Sequence, residues 1–442
     1  VLGRMAELGY VTPEEAAAAR DQELVVVPPQ PHVSRAAYFV DWLTRDIRRR
    51  LGADVLYRGG LRIESTLDLR LQQAAEQAIA TTLDEPGDPD ASLVAIDVRT
   101  GGVMAMVGGR DFNRSQVNLA TGQGGSGRQA GSAFKPFVLA RALQEGISPY
   151  DVYSAPGTIS VPGWNVSNFG GSSYGSLSVR SATISSVNTV YAQLIDEVGP
   201  EDVVRLAHRM GIRSRLPAVP SLTLGTGEVT PLEMTAGYAT LASGGIYRRP
   251  TGVSRMVDSQ GTVVEDLDPG GRRALPESTA NTVTDILMDV VAGGTGSAAQ
   301  LSGVAVAGKT GTAQDHADAW FCGYTAEIAA CVWIGHKEGR VPMTSVQGVS
   351  GVTGGSLPAA IWRAFMSAVP HQDRSLGGTS TSYAAPASSE SAPHQEAGGR
   401  EEQDEPQGEE TPAPAPPPAE GPPEEGGGED EGLVPDDILP PG

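Results

Sequence analysis

The placement of strand-like segments is the sequence feature that most limits how this chain can fold. Two apolar, β-rich runs at residues 93–98 and 103–107 are joined by Arg99-Thr100-Gly101-Gly102, a pattern typical of a hairpin. Further runs lie far along the chain, after a long region of helical patterns, at residues 304–312, 319–324 and 329–335. Strands at both ends with helices between them favour one antiparallel sheet in which the first and last strands meet. We therefore predict an α+β fold with helices flanking that sheet.

Residues 1–85 form a lead-in segment in which two helix starts can be recognised by their caps. Thr12 is followed by a proline and by Glu15, which is the pattern of a capping box. Ser34 is predicted to cap a second helix, whose apolar residues recur at three- and four-residue spacing and give it one buried face. The main folded domain is predicted at residues 86–372.

Residues 373–442 have the composition of a disordered tail. They carry 17 acidic residues against two basic ones, Arg374 and Arg400, and so contribute −15 of the formal net charge of −21. Proline, glutamate, glycine and serine dominate this segment, so it cannot bury enough apolar surface to offset its ordering entropy. The remaining, mildly acidic body lacks the clustered positive charge that nucleic-acid binding requires, so no nucleic-acid partner is expected.

The residue pattern does not indicate a metal, a cofactor or a membrane span. Two cysteines and six scattered histidines lack the spacing of a ligand set, and we expect neither metal nor cofactor. No apolar run approaches the roughly 18 residues that a membrane span needs. The chain opens with Val1 rather than methionine, so we expect that an upstream segment has been removed and that any membrane anchor belonged to it.

Lysine is rare in this chain and therefore informative. Of 32 basic residues only Lys135, Lys309 and Lys337 are lysine, and the other 29 are arginine. A buried lysine can lose its proton and act as a base, whereas arginine stays protonated. The surroundings of Lys135 and Lys309 are therefore the first candidates for catalytic chemistry.

Ser132 and Lys135 form an S-x-x-K pair at a predicted helix start. A glycine-rich run ends at Gly131, and Pro136 is tolerated only in the first turn of a helix, so the helix must begin close to Ser132. The three-residue spacing puts serine and lysine on one face, where the lysine can accept the serine proton. Backbone N–H groups at the helix start can stabilise an oxyanion. The alternative is a serine N-cap followed by a solvated lysine.

Two further motifs lie downstream of this pair. Lys309 stands in the segment 308–312, Gly-Lys-Thr-Gly-Thr, on a predicted strand. Small residues there would let another backbone pair alongside, while the ammonium and hydroxyl groups meet a carboxylate. The alternative is a lysine that blunts an edge strand. Ser186-Val187-Asn188 starts a predicted apolar-periodic helix and on its own is only a capping pair.

The three motifs together, in the order S-x-x-K, S-x-N and K-T-G, resemble the signature of the penicilloyl serine transferases. The surrounding sequence, over residues 1–370, is similar to the class A penicillin-binding proteins, which build the bacterial cell wall. The stretches that carry this resemblance are residues 56–62, 65–68, 106–112, 224–234, 294–296 and 354–358. The resemblance implies a penicillin-binding/β-lactamase-like fold and a D,D-transpeptidase that cross-links peptidoglycan stem peptides.

The resemblance also implies a role for each residue of the first two motifs. Ser132 would attack the penultimate D-Ala carbonyl of a stem peptide, with Lys135 taking the serine proton. Ser186 would relay a proton toward the leaving D-Ala. Asn188 would orient Lys135 and hold the donor peptide. β-Lactams resemble that donor, so they should acylate Ser132 and remain attached.

Substrate binding would fall to the third motif. Lys309, Thr310 and Thr312, in the strand that also contains Gly311, would bind the terminal carboxylate of the donor. The backbone N–H groups of Ser132 and Thr312 would form the oxyanion hole. No metal takes part in this scheme.

By the same resemblance, residues 1–85 are the linker, or pedestal, between a glycosyltransferase domain and the transpeptidase domain at 86–372. The chain would then be a truncated part of a bifunctional parent. The implied partners are stem peptides, the lipid-linked precursor, β-lactam antibiotics and other cell-wall synthesis proteins. The implied location is the extracytoplasmic face of the bacterial cell membrane, with the anchor in the full-length parent.

Other functions remain open at this level. A D,D-carboxypeptidase or a β-lactamase would resolve the same acyl-enzyme with water, and a silent scaffold would bind peptides without reacting. Residues 171–175 fit the G-x-S-x-G elbow with Ser173 as nucleophile, but the preceding segment is too polar for the central strand that the elbow requires. Residues 122–127 match the dinucleotide fingerprint G-x-G-x-x-G without a buried strand before them.

The two cysteines lie in one predicted hairpin. If Ala326 and Glu327 are at its centre, Cys322 and Cys331 face each other on adjacent strands. Facing cysteines in an exported protein could form a disulfide. The alternative is a pair of buried, small apolar residues.

Overall fold

The computed structural model describes residues 1–22, 34–125, 127–371 and 375–377. None of the described helices is both long and apolar enough to cross a membrane. The tail that the composition predicts to be disordered lies outside the described residues, apart from residues 375–377. The helices in the described part are α1 Leu2–Glu7, α2 Pro13–Asp21, α3 Ala37–Leu51, α4 Ala53–Arg58, α5 Leu69–Thr82, α6 Lys135–Gln144, α7 Val179–Ile184, α8 Asn188–Val198, α9 Pro200–Met210, α10 Pro231–Ala242, α11 Glu277–Ala292 and α12 Leu357–Ser367.

Most strands are short and form two-stranded ribbons around one larger sheet. The strands in the described part are β1 Arg62–Ser65, β2 Asp90–Asp97, β3 Val103–Val107, β4 Arg128–Gln129, β5 Val152–Ala155, β6 Thr158–Val161, β7 Trp164–Ser167, β8 Gly175–Ser178, β9 Glu228–Val229, β10 Ile246–Tyr247, β11 Val253–Val257, β12 Val263–Asp266, β13 Arg272–Arg273, β14 Ala307–Thr312, β15 Asp318–Tyr324, β16 Ile328–Gly335, β17 Ser345–Val346 and β18 Val349–Ser350.

The central sheet has five strands in the order β14-β15-β16-β2-β3, and every neighbouring pair is antiparallel. β16 pairs with β2 along its whole length, with Ile328 opposite Asp97 and Gly335 opposite Asp90. The predicted α+β fold, with first and last strand groups meeting in one sheet, is therefore confirmed. β14, which carries the K-T-G motif, forms one edge of the sheet.

Helices cover both faces of the central sheet. Along β2, Leu93 and Ala95 belong to one hydrophobic core, whereas Val94 and Ile96 belong to the other, as expected for side chains that alternate along a strand. The first core also contains residues of α5 and α12, and the second contains residues of α6, α8, α10 and α11. Because both faces are buried, the strands read in sequence as continuous apolar runs.

The lead-in contains one cap that was predicted and one that was not. Thr12 Oγ1 accepts from the Glu15 amide at 3.1 Å, and Glu15 Oε2 accepts from the Thr12 amide at 2.7 Å, so the predicted capping box is confirmed. The predicted Ser34 cap is wrong. α3 starts at Ala37, and the Ser34 hydroxyl instead accepts from the amide of Ala36, which closes a local turn before the helix. The predicted apolar face exists, and its Phe39 packs into the core above β2.

The hairpin of β15 and β16 has the register predicted from its sequence. Cys322 lies opposite Cys331, and a disulfide joins them. Of the two alternatives for the cysteines, the structure therefore contains the disulfide. Cys322 also lies opposite Lys309 on β14, so the bonded pair is adjacent to the K-T-G strand.

The structure excludes the two competing motifs, in agreement with the sequence analysis. Ser173 lies between a 3-10 turn at Phe169–Gly171 and β8, rather than between a central strand and a helix. The residues before the 122–127 match form a 3-10 turn, Leu119–Thr121, and not a buried strand. Neither segment therefore has the backbone geometry that its motif needs.

Candidate active site

Ser132 lies in a tight turn at the entrance to α6. Residues Gly131–Phe134 form a 3-10 turn and the α-helix itself begins at Lys135, so the predicted helix start has a tighter first turn than expected. Gly131 has a φ of 56°, and a Cβ at this position would lie 2.6 Å from the carbonyl oxygen of Thr312. Only glycine therefore lets the turn pack this closely against the end of β14. The turn leaves Ser132 half-buried beside that strand.

Lys135 is fully buried and bound to the S-x-N motif. Its Nζ donates to the carbonyl oxygen of Ser186 at 2.6 Å, to the Ser186 hydroxyl at 3.2 Å and to Asn188 Oδ1 at 2.8 Å. It also lies 5.0 Å from the centre of the Tyr191 ring. Among the hydrogen bonds of the described residues, none joins Lys135 Nζ to the Ser132 hydroxyl. The direct pair suggested by the S-x-x-K spacing is thus replaced by bonds to a second motif.

Lys309 reaches the same hydroxyl from the opposite side. It is fully buried on β14, and its Nζ donates to the Ser186 hydroxyl at 2.8 Å and to its neighbouring carbonyl, that of Thr310, at 3.2 Å. The Ser186 oxygen therefore accepts from two amines. While both amines are protonated, both lone pairs of this hydroxyl are engaged and its O–H is left to donate to a third group; once one amine is neutral, the O–H can donate to that amine instead.

Ser186 holds this position through an unusual backbone conformation. Its φ of 56° lies in the left-handed region, which costs a residue with a Cβ on the order of 1–3 kcal/mol. The predicted apolar-periodic helix is confirmed and begins at the third residue of this motif, Asn188, but its N-cap is Val187 rather than Ser186. The amides of Ser186 and Val187 donate back into the end of α7, which turns the chain and directs the serine toward both lysines.

The environment makes both lysines unusually easy to deprotonate. Burial and then the positive charge of Lys309 hold the pKa of Lys135 well below its usual range. Burial lowers the pKa of Lys309 to about 7. Two amines that share one buried hydroxyl cannot both remain charged without cost, so one of them can be neutral near physiological pH.

The remaining residues of the K-T-G motif line the same region. The Thr310 hydroxyl lies 2.9 Å from the hydroxyl of Thr295, and Thr312 Oγ1 accepts from the Gly354 amide at 3.1 Å. A Cβ at Gly311 would lie 2.2 Å from the carbonyl oxygen that precedes the Ser132 turn, which shows how closely β14 and the turn approach. All eight predicted site residues thus fall on three adjoining segments, namely the turn at 131–135, the link at 186–188 and β14.

Sequence reasoning missed some residues that complete this arrangement. Tyr191, one turn along α8, places its ring beside Lys135, and its spacing in the sequence marked it only as part of an apolar face. Thr295 contacts the K-T-G threonine, and the stretch 294–296 gave a signal only through the family resemblance. A serine, two deprotonatable lysines and a hydroxyl between them can support nucleophilic serine chemistry.

The comparison with protein families agrees with this fold and arrangement. Residues 91–338 match the penicillin binding protein transpeptidase domain, which covers more than half of the chain. The chain therefore belongs to the penicillin-binding protein transpeptidase family. The match includes all three motifs.

Similar full-length proteins are considerably longer than this chain. It is 35% identical to penicillin-binding protein 1A of Mycolicibacterium smegmatis over 336 residues, which is 70% of this chain and 41% of that protein. It is 34% identical to penicillin-binding protein 1A of Mycobacterium tuberculosis over 367 residues, or 76% of this chain and 43% of the relative. The chain spans about half the length of the curated relatives it matches.

Solved structures share the fold. The PonA1 protein from Mycobacterium tuberculosis in complex with penicillin V superimposes with a TM-score of 0.71 at 30% identity, covering 78% of this chain and 96% of that chain. Penicillin-binding protein 1A from Haemophilus influenzae gives a TM-score of 0.68 at 20% identity, covering 85% of this chain and 77% of that chain. The second similarity shows the fold alone, and both agree with the predicted penicillin-binding architecture.

Proposed function

We propose that this chain is the transpeptidase part of a class A penicillin-binding protein. It cross-links peptidoglycan stem peptides through an acyl-enzyme on Ser132 and is acylated there by β-lactams. The observation that carries the proposal is the Ser186 hydroxyl, which is bound by the buried amines of Lys135 and Lys309 close to the Ser132 turn. A structural serine cap would not need two desolvated amines beside it, since burying them is costly.

Acylation forms a bond between Ser132 Oγ and the carbonyl carbon of the penultimate D-Ala and breaks the peptide bond to the terminal D-Ala. Neutral Lys135 takes the serine proton, and Ser186 passes a proton to the departing amine. Lys135 Nζ donates to Ser186 and Asn188 in the structure. The proton therefore leaves Ser132 either after a shift of the lysine side chain or through the Ser186 hydroxyl. The amine of a second stem peptide then attacks the ester, releases Ser132 and completes the cross-link.

The K-T-G strand is the proposed site for the donor peptide. β14 is an edge strand, so a peptide backbone can pair along its open side. Lys309, Thr310 and Thr312 offer the ammonium and hydroxyl groups for its terminal carboxylate, and Gly311 lets β14 lie directly against the serine turn. The backbone N–H groups of Ser132 and Thr312 form the oxyanion hole. The packing of the serine turn against β14 supports this assignment, because it brings the two backbones together.

The wider context of this activity follows from the same family. We assign residues 86–372 to the transpeptidase domain and residues 1–85 to a linker that follows a glycosyltransferase domain in the parent protein. Lipid-linked precursor and other cell-wall synthesis proteins are the proposed partners. The proposed location is outside the cytoplasm, at the extracytoplasmic face of the cell membrane.

The rate of acylation should rise with pH through the neutral range. The base must be a neutral amine, and burial lowers the pKa of Lys135 strongly and that of Lys309 to about 7. In acid both amines are protonated, so neither can accept the proton of Ser132. Above neutrality one of the two amines has lost its proton, and the rate of acylation levels off. The measurement is the rate of labelling by a fluorescent penicillin across this pH range.

Lys337 provides the control for this profile. It is partly exposed, its side chain pairs with Asp90 and Glu338, and it belongs to none of the three motifs. Lys337→Ala should leave the shape of the profile unchanged. A rate that is independent of pH, or that falls as pH rises through neutrality, would contradict the role of the lysines as base.

The proposed reaction can be separated from hydrolysis by its products. The chain is incubated with a synthetic stem peptide that ends in D-Ala-D-Ala and with an amine acceptor, and the products are identified by mass spectrometry. A transpeptidase releases D-Ala and joins donor to acceptor. A D,D-carboxypeptidase releases D-Ala and yields only the shortened peptide. A β-lactamase is recognised in a separate incubation with penicillin, where its adduct is lost within minutes. Shortened peptide without any donor–acceptor product would contradict the transpeptidase assignment.

A further inference from the structure

Asn168 connects an outer loop to the S-x-N motif. It follows β7 in the segment between β5 and β8, and the residue is 5% exposed. Its Oδ1 accepts from the amides of Asn188 and Thr189 at 2.9 and 3.0 Å. Its Nδ2 donates to the carbonyl oxygens of Pro156 and Ser172 at 2.9 and 2.8 Å. All four hydrogen-bonding positions of this buried amide are therefore used.

The start of α8 depends on this outside group. The N-cap residue of α8 is Val187, whose side chain cannot accept a hydrogen bond, so the first amides of the helix need an acceptor from elsewhere. Asn168 supplies that acceptor from 20 residues earlier in the sequence. The adjacent residue, Ser167, adds a second contact, because its carbonyl oxygen accepts from Asn188 Nδ2 at 2.9 Å.

These contacts decide which way the Asn188 side chain faces. With Nδ2 bound to the Ser167 carbonyl, Oδ1 must point to the other side, where it accepts from Lys135 Nζ at 2.8 Å. The backbone of Asn188 is held by Asn168 and its side chain by the neighbouring peptide group. A shift of Ser167 and Asn168 would therefore move the acceptor of Lys135 and the adjacent Ser186 link together.

We propose that Asn168 is a positioning residue for the serine chemistry, which acts by capping α8 and so holding Asn188 and Ser186 against Lys135. This inference rests on the proposed function, since it concerns the rate of the same acylation. The residue type fits the task. An amide of this size accepts on one side and donates on the other, whereas aspartate can only accept and alanine can do neither.

The first variant is Asn168→Ala, measured by the rate of fluorescent penicillin labelling as a function of pH. Without its cap, the start of α8 loosens and Asn188 is displaced, and we expect the rate to fall on the order of tenfold to a hundredfold. The rise of the rate should also move to higher pH, because water that enters beside Lys135 relieves its desolvation. Lys309 from β14 and Tyr191 from α8 are the titratable groups that face Lys135, and neither is substituted in this variant.

A second variant keeps the test valid if the alanine form folds poorly. Asn168→Asp retains an acceptor for the two amides of α8 but loses both donations to the loop carbonyls. We expect it to recover much of the rate that the alanine variant loses, even if it unfolds at a lower temperature than the parent. Asn165→Ala is the matched control. Asn165 lies on β7, three residues before Asn168, and its side chain accepts from the exposed Ser160 hydroxyl, so its loss should change neither rate nor profile.

The outcomes separate this inference from the function on which it rests. If the parent is not labelled at all, the proposed function itself fails. If the parent is labelled and Asn168→Ala reacts within twofold of it with the same pH profile, the positioning role is overturned. The role is also overturned if both variants lose rate equally and only in step with their unfolding temperature, because Asn168 would then serve only the stability of the loop.

Discussion

Ser132→Ala should abolish the covalent penicillin adduct. The parent chain should gain the mass of one β-lactam on the peptide that contains Ser132. The alanine variant lacks the only atom that can form that ester in the proposed mechanism. The hydrogen bonds of Lys135, Ser186 and Lys309 do not involve the Ser132 hydroxyl. Removing that hydroxyl should therefore leave the fold intact. Mass spectrometry after β-lactam treatment, with an unfolding curve of each protein, measures both points.

Ser173 provides the control for this experiment. It is the serine of the G-x-S-x-G match, and it lies exposed on the link into β8. Ser173→Ala should form the adduct at the parental rate. An adduct that persists on Ser132→Ala, or one that disappears with Ser173→Ala, would place the nucleophile elsewhere and overturn the site assignment.

Lys135→Met should lower the rate of acylation on the order of 10²- to 10⁴-fold, which is the usual effect of losing a general base. Methionine has a similar length and suits a fully buried position, but it cannot accept the Ser132 proton. Because methionine has no N–H groups, Asn188 Oδ1 loses the hydrogen bond from Lys135, and we expect the folded protein to be somewhat less stable. The rate of penicillin labelling, compared at equal folded fraction, isolates the chemical contribution.

Two further substitutions sharpen this result. Lys135→Arg retains the positive charge but cannot lose its proton, so it should be as slow as the methionine variant if the lysine acts as base. Lys337→Met removes the exposed lysine and should be labelled normally. An arginine variant that reacts at the parental rate would show that position 135 supplies charge rather than a proton acceptor.

Much of the fold could be predicted because its signals are local. The hairpin of β2 and β3, the capping box at Thr12 and the register that brings Cys322 opposite Cys331 each depend on residues close together in sequence. The meeting of the first and last strand groups in one antiparallel sheet could also be inferred, since strands at both ends of a domain must find partners. The errors were also local. Ser34 is of a residue type that often caps helices, but it lies two residues before the N-cap of α3, and its hydroxyl accepts from the Ala36 amide in a turn.

The residues of the site were easier to predict than the contacts between them. The three motifs could be found in the sequence, and they do lie together. The family resemblance also implied the contact of Asn188 with Lys135, but nothing in the sequence indicated that both lysines bind Ser186. The S-x-x-K spacing pointed to Ser132, whereas Lys135 Nζ donates to Ser186 and Asn188. Spacing along a helix takes no account of the left-handed conformation at Ser186, which turns that hydroxyl between the lysines.

The amino-acid sequence by itself determined the elements, the three motifs and the scarcity of lysine, because periodicity, turn residues and residue type are properties of short segments. Only the tertiary structure decided that one hydroxyl serves both lysines and that Asn168 caps α8. Those contacts join residues 51, 123 and 20 positions apart. They exist because the helices that cover the sheet bring the turn, the link and β14 to one buried place, where low solvation lowers the pKa of each amine.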